Sequence, residues 1–216
     1  MLRFRILHRR ERAQFWESES MVAHGAVRLL KDAQGSALLE FAIALPLLVV
    51  FVVGIYDFSG AFNQKQKIEQ AAQEGAIVAG AQPMSDIQTG NGNPASLQPV
   101  VTAIVNSLTG SGVATGICAA PAVSGPGTGV NALAWKYTIL GCSGAYPTDS
   151  LVITINRGLV VASGTTGTAP DVVGTVVTVQ YPYHWTFNRV IQLLIPGASY
   201  AGTTQLAESA TVQNQT

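Results

Sequence analysis

The rhythm of apolar positions divides the chain. From Phe41 to Tyr56 sixteen residues run without a charge, and read back to Ser36 the stretch has 21 residues with Glu40 as its one charged group. At about 1.5 Å per residue this makes a helix of about 31 Å, enough to cross a bilayer core of about 30 Å. A signal-peptide apolar region is the main rival. The run is long for one, and no Ala-x-Ala-like site follows Tyr56, so a retained anchor over 36–56 is expected. Pro46 inside it removes one backbone hydrogen bond and permits a kink, which membrane helices tolerate.

After Asp57 the pattern changes. Apolar or small residues recur at Phe58, Ala61, Phe62, Ile68, Ala72, Gly75, Ala76 and Ala79, spacings of three and four that define one helical face. Lys65, Lys67, Glu69 and Glu74 fall mainly off it. The helix therefore continues to about Ala81 as an amphipathic extension, 57–81. Gly54, Ala61, Ala72, Gly75 and Ala76 are small enough for a second helix to approach closely, so lateral packing is expected of them.

Beyond Gln82 the period shortens. Pro83, Gly90, Gly92 and Pro94 mark a loop to Pro99, and Val100–Leu108 is a short helix candidate ended by Gly110 and Gly112. Trp135–Leu140, Ser150–Ala162, Val172–Tyr183 and Thr203–Val212 read as strands rich in β-branched residues, separated by Gly, Ser, Thr and Pro clusters. Arg189–Ile195 is a short helix or a hydrophobic loop. Few crossover helices separate the strands, so antiparallel pairing is the default. The expected fold class is α+β: a long N-terminal helix lying on a small antiparallel sheet, with 82–216 as the second domain.

Charge gives the helix a direction. Apolar residues make up 48 % of the chain and charged residues 11 %, less than half the usual share. Residues 1–34 hold seven basic side chains against four acidic ones, whereas the chain from Asp57 onward holds five against seven. By the positive-inside rule the basic leader, 1–35, stays in the cytoplasm and the C-terminal domain is periplasmic or extracytoplasmic. A nucleic-acid arm is a poor reading of that leader, because it abuts a span and has acids mixed in. The two cysteines, Cys118 and Cys142, fall on the exported side. There they can close a disulfide, the alternatives being two free thiols or a redox or metal pair. No histidine stands near them, and His8, His24 and His184 are scattered, so no metal site is expected.

A carboxylate near a span is costly, roughly 2–3 kcal/mol when placed deep, and Glu40 needs a reason. It lies five residues after Gly35. A glycine before a helix start leaves a peptide bond that a membrane protease can grip. Cleavage between Gly35 and Ser36 creates an α-amine one helical turn from Glu40. In a filament the amine of one subunit can pair with the carboxylate of the next and set register. The plain reading is a snorkelling charge without a role. Gly125–Gly129 lacks the Lys-Ser/Thr of a phosphate loop, no Gly-x-Ser-x-Gly elbow occurs, and Asp149 and Asp171 read as solvated turn residues. Tyr181, Tyr183 and Trp185 read as a core or interface face of a strand rather than a ligand strip.

Gly35-Ser-Ala-Leu-Leu-Glu-Phe-Ala-Ile-Ala-Leu-Pro-Leu-Leu48, followed by Gly54-Ile-Tyr-Asp-Phe58, resembles the TadE-like proteins of the tight-adherence (Flp, type IVc) pilus system. The stretches Val177–Tyr183 and Ala207–Asn214 are more loosely similar, and the middle is not. The resemblance implies a pseudopilin or minor pilin without enzymatic activity or cofactor, processed by a TadV-like prepilin peptidase. Gly35 is then the residue before the cut, Ser36 the mature N-terminus, Glu40 its fifth residue and Phe41 the aromatic companion. Implied partners are other Tad minor pilins, the Flp pilin, the inner-membrane assembly platform and the lipid bilayer, with no nucleic acid. The leader is long for that family, and Met21 is an alternative start. The other readings are an uncleaved single-pass anchor whose β-rich domain binds an envelope partner, and an exported enzyme, against which stands the absence of any nucleophile, metal or acid–base cluster.

Overall fold

A computed structural model describes residues 33–88, 90–161, 172–194, 197 and 202–215. The basic leader with Met21, His8 and His24, the end of one expected strand at Ala162, and Asp171 lie outside the described residues. The fold is α+β, and the chain falls into two units, Met1–Val53 and Gly54–Thr216.

Helix α1 spans Ala33–Ala81 with Pro46 inside it. Up to Val53 its side chains are apolar on every face and mostly exposed, Leu38 at 73 % and Phe51 at 63 % among them. Such a helix is apolar enough to cross a membrane, with a mean hydropathy of 2.7 over its most apolar window. A helix apolar all round is stable only where its surroundings are apolar too.

In the second unit the same helix buries one face. Ile68, Ala71, Ala72, Ala76 and Ala79 lie in a core completed by a second helix and the sheet. Helix α2 (Gln98–Gly110) begins with Pro99 in its first turn and contributes Val100, Val101, Ile104 and Leu108. Proline suits that position because the first N–H groups of a helix have no internal partner. The left-handed Gly112 follows the helix end. Gly75 is where the two helices meet: a Cβ there would stand 2.5 Å from Ile104 Cγ1.

The sheet is a five-stranded antiparallel meander in the order β1-β2-β3-β4-β5. The strands are β1 (Ala122–Ser124), β2 (Ala134–Leu140), β3 (Ser150–Val161), β4 (Val172–His184) and β5 (Thr203–Gln213). Its rungs place Trp135, Ile155, Val177 and Ala210 in one row and Tyr137, Ile153, Val179 and Glu208 in the next. The alternation of two puts these side chains on the helix-covered face, while Lys136, Thr154 and Thr178 point the other way. A bulge between Asn156 and Leu159 interrupts the register beside Arg157.

Two expectations are corrected. Phe58 and Phe62 do not join the buried face; they are 55 % and 64 % exposed. The buried row runs through Ala61, Ile68, Ala72 and Ala79, and Phe62 stands about 100° around the helix from Ala61. The small residues Ala72, Gly75 and Ala76 are likewise consumed within the unit, because helix α2 and the sheet already fill the space beside them. Only Gly54 of that set has nothing within reach of a Cβ. Arg189–Ile195 resolves as a helix, α3, which spans Phe187–Leu194.

Candidate functional site

The segment Gly35–Phe41 lies in α1. The described part of α1 begins at Ala33, and the Gly35–Ser36 bond lies within the helix. Ser36 Oγ donates to Glu40 Oε1 at 3.4 Å, one helical turn away, and both side chains are exposed. Among the described residues no cation pairs with Glu40. Phe41, 63 % exposed, follows it. The arrangement is a carboxylate one helical turn from a serine whose backbone nitrogen becomes an amine if the preceding bond is cut.

The other end of the apolar run is built around Asp57. Its carboxylate accepts the Thr186 hydroxyl and, at 2.6 Å, the backbone N–H of Phe187, the first residue of α3. Its backbone carbonyl accepts the Tyr183 hydroxyl at 3.0 Å. The side chain is 2 % exposed, so a negative charge sits where the helix dipole of α3 favours one. Gly60 makes the approach possible, since a Cβ there would stand 2.7 Å from the Tyr183 hydroxyl oxygen. Burial, and then the Asp57 charge, pushes the Tyr183 hydroxyl above its ordinary pKa. Phe58, Tyr183 and Trp185 meet edge to face around this point, with ring centroids 5.2 and 5.0 Å apart.

At the C-terminal end of α1 stands Arg157, wholly buried. Its guanidinium donates to the carbonyls of Ala79 and, at 2.8 Å, Gln82. These carbonyls lie at and just beyond the end of the helix, where the Gln82 N–H also donates to the Ala79 carbonyl at 3.1 Å, and a cation is well placed among them. Burial pulls Arg157 below its usual pKa, while Asp86 opposes that. Asp86 Oδ2 accepts the Ser96 N–H at 2.8 Å. Burial alone would raise its pKa, but hydrogen bonds from Ser96 outweigh that and hold it below the ordinary value. Burial and the Asp86 charge push the Tyr137 hydroxyl up to about 12.

Asp149 is not a solvated turn residue. Its Oδ2 lies 2.6 Å from His184 Nε2, and Tyr146 stacks on that imidazole with centroids 3.5 Å apart. Cys118 and Cys142 form a disulfide with Cα atoms 4.2 Å apart. Among the described residues no three His, Cys, Asp or Glu side chains gather where they could hold a metal ion. A groove of about 580 Å³ is lined by mixed polar and apolar residues, Asn131, Trp135, Lys136 and Asn156 among them.

Asp57 entered the sequence reading only as a member of Gly54-x-x-Asp57-Phe58, although its place at the exit of the apolar run was a usable signal. Arg157 had one too: it continues the inward alternation of Ile153 and Ile155. The Asp149–His184 pair had none.

Residues 35–76 match the model of the TadE-like protein family. The matched stretch lies wholly within α1. It takes in Gly35, Glu40 and the Asp57 clamp and leaves the sheet outside. No curated protein and no solved structure matches the chain. A TadE-like segment suggests a protein associated with the tight-adherence pilus, of structural or assembly character rather than enzymatic.

Proposed function

We propose that this chain is a membrane-anchored pseudopilin or minor pilin that acts in assembly of a tight-adherence pilus. A prepilin peptidase of the TadV type cuts it between Gly35 and Ser36. The observation that carries the reading is the pairing of Gly35 with Glu40, five residues apart, at the head of an apolar helix inside the TadE-like match. The new amine at Ser36 is one half of an ion pair and Glu40 the other. In apolar surroundings such a pair adds little net stability, but a mismatched register leaves two charges unpaired at a cost of several kcal/mol. Register between neighbouring subunits is therefore its use. Partners in this reading are the Flp pilin, other Tad minor pilins and the inner-membrane assembly platform.

The charge asymmetry supports a cytoplasmic leader and an exported folded unit. The Cys118–Cys142 disulfide fits an oxidising compartment on that side.

The test is Gly35→Ala in cells that make the pilus, followed by electrophoretic mobility, intact mass of the membrane-extracted chain and surface pilus counts. The expected result is loss of the mature form beginning at Ser36, and loss of pili. An intact Gly35–Ser36 bond in the parent chain removes the processing claim and leaves an uncleaved anchor whose β-rich unit binds an envelope partner. Glu40→Ala is expected to leave processing intact while lowering pilus number.

A further inference from the structure

Phe187, the first residue of helix α3, donates its N–H to Asp57, and Asp57 is the first residue after the apolar run Phe41–Tyr56. Anything within hydrogen-bond distance of Asp57 shares its depth, which is where the apolar run ends. Around it the exposed side chains remain apolar: Ile55, Tyr56, Phe58 and Phe62 are between 55 % and 75 % exposed. Phe62 stands about 7.5 Å along the helix from Asp57, within the headgroup layer that adds roughly 5–8 Å to each side of a bilayer core. Trp185 adds an indole with its N–H satisfied by Thr204 Oγ1 at 2.7 Å. Tryptophan and tyrosine favour this boundary because one end of each is apolar and the other polar. An apolar cleft of about 100 Å³ opens between Gly54, Asp57, Phe58, Trp185 and Phe187. Along α3, Phe187, Val190 and Ile191 recur at helical spacing, while Gln192 is exposed.

We infer that α3, together with Trp185 and Phe58, forms a lipid-binding foot that sits in the phospholipid headgroup layer where α1 leaves the membrane. A short amphipathic helix binds a bilayer weakly by itself, but this one is delivered to the surface by the span. The Asp57 carboxylate keeps it there by capping its first N–H. The inference rests on the membrane-spanning reading of α1.

The test uses the full chain in nanodiscs of phosphatidylethanolamine and phosphatidylglycerol, spin-labelled at single introduced cysteines. Val49→Cys reports the span, Ser209→Cys the exposed edge strand, and Val190→Cys and Gln192→Cys report α3. Collisions with oxygen and with a water-soluble nickel chelate give depth. The expected result is a Val49 label in the hydrocarbon, a Ser209 label in water, and labels on α3 with nickel accessibility several-fold below Ser209 but oxygen accessibility retained. If Val190→Cys misfolds, Gln192→Cys, at an exposed position, carries the reading alone. Labels on α3 as open to nickel as Ser209, with Val49 in lipid, overturn the foot and leave the anchor standing. Labels on α3 closed to both reagents mean that protein covers the helix, which also overturns it. A Val49 label in water removes the anchor and the foot together.

Discussion

The two halves of helix α1 differ in how many apolar residues they hold and in how they dispose of them: 15 of 18 residues are apolar over Ser36–Val53 and 9 of 19 over Ala61–Ala79. Between Ser36 and Val53 large side chains point in every direction and are mostly exposed. Between Ala61 and Ala79 the buried residues are small, Ile68 excepted, and lie in one row. The first half gains from an apolar solvent regardless of which residue sits where. The second gains only if particular small residues meet particular neighbours. Hydrophobicity in total selects the membrane, whereas its phase and size select the fold.

That contrast can be strained at several points. Arg157→Ala has the largest expected effect, about 3–5 kcal/mol, because it removes the cation from the Ala79 and Gln82 carbonyls and leaves a cavity beside them. Denaturant unfolding of the full chain in detergent, followed by tryptophan fluorescence of the buried Trp135, measures it. A cost under about 1 kcal/mol would show that the buried cation is not needed where the helix ends.

Next comes a pair of glycines. Gly75→Val drives a side chain into Ile104 and is expected to cost about 1–3 kcal/mol. At Gly54 a Cβ has nothing within 4 Å, and Gly54→Ala is expected to shift unfolding by no more than about 0.5 kcal/mol. Equal costs would erase the distinction between the halves.

Asp57→Ala removes the cap on α3 and the acceptor of Thr186, with an expected loss of about 1–2 kcal/mol. Amide exchange should rise at Phe187 and through α3 while β2 and β3 stay protected. Uniform loss of protection would mean that Asp57 supports the whole unit.

The smallest effect is one of pH. Asp86 has a folded pKa below its ordinary value, so it contributes stability above about pH 4. That contribution disappears as pH falls through the folded pKa. Asp86→Asn is expected to cost under about 1 kcal/mol near neutrality, with the gap to the parent closing in acid. A gap that persists at pH 2 would assign the loss to packing rather than to charge.

Much of this architecture was legible. The unbroken apolar run announced α1, and β-branched stretches between turn clusters announced β2 to β5, because each is a local pattern. Strand β1 was not, since three residues between Pro121 and Gly125 are too few to show a period. The phase of the amphipathic face was misread at Phe58 and Phe62, whose size made them look like core. In fact the core there takes alanines because a sheet and a second helix press on α1 at once. The small residues suggested a partner subunit when their partner was α2, and no spacing rule distinguishes the two. Asp149 and His184 meet only because β3 and β4 pair in a register that brings the start of one to the end of the other. The Gly35–Glu40 spacing was fully visible, being a feature of sequence before it is one of structure.

The two side chains that fasten α1 have a mechanical consequence. Asp57 ties the near end of its packed half to α3 and Arg157 ties the far end to β3, about 33 Å apart along the helix. A pull along this half of the helix therefore loads both fasteners, and the half is held within its own unit as a beam clamped at both ends is.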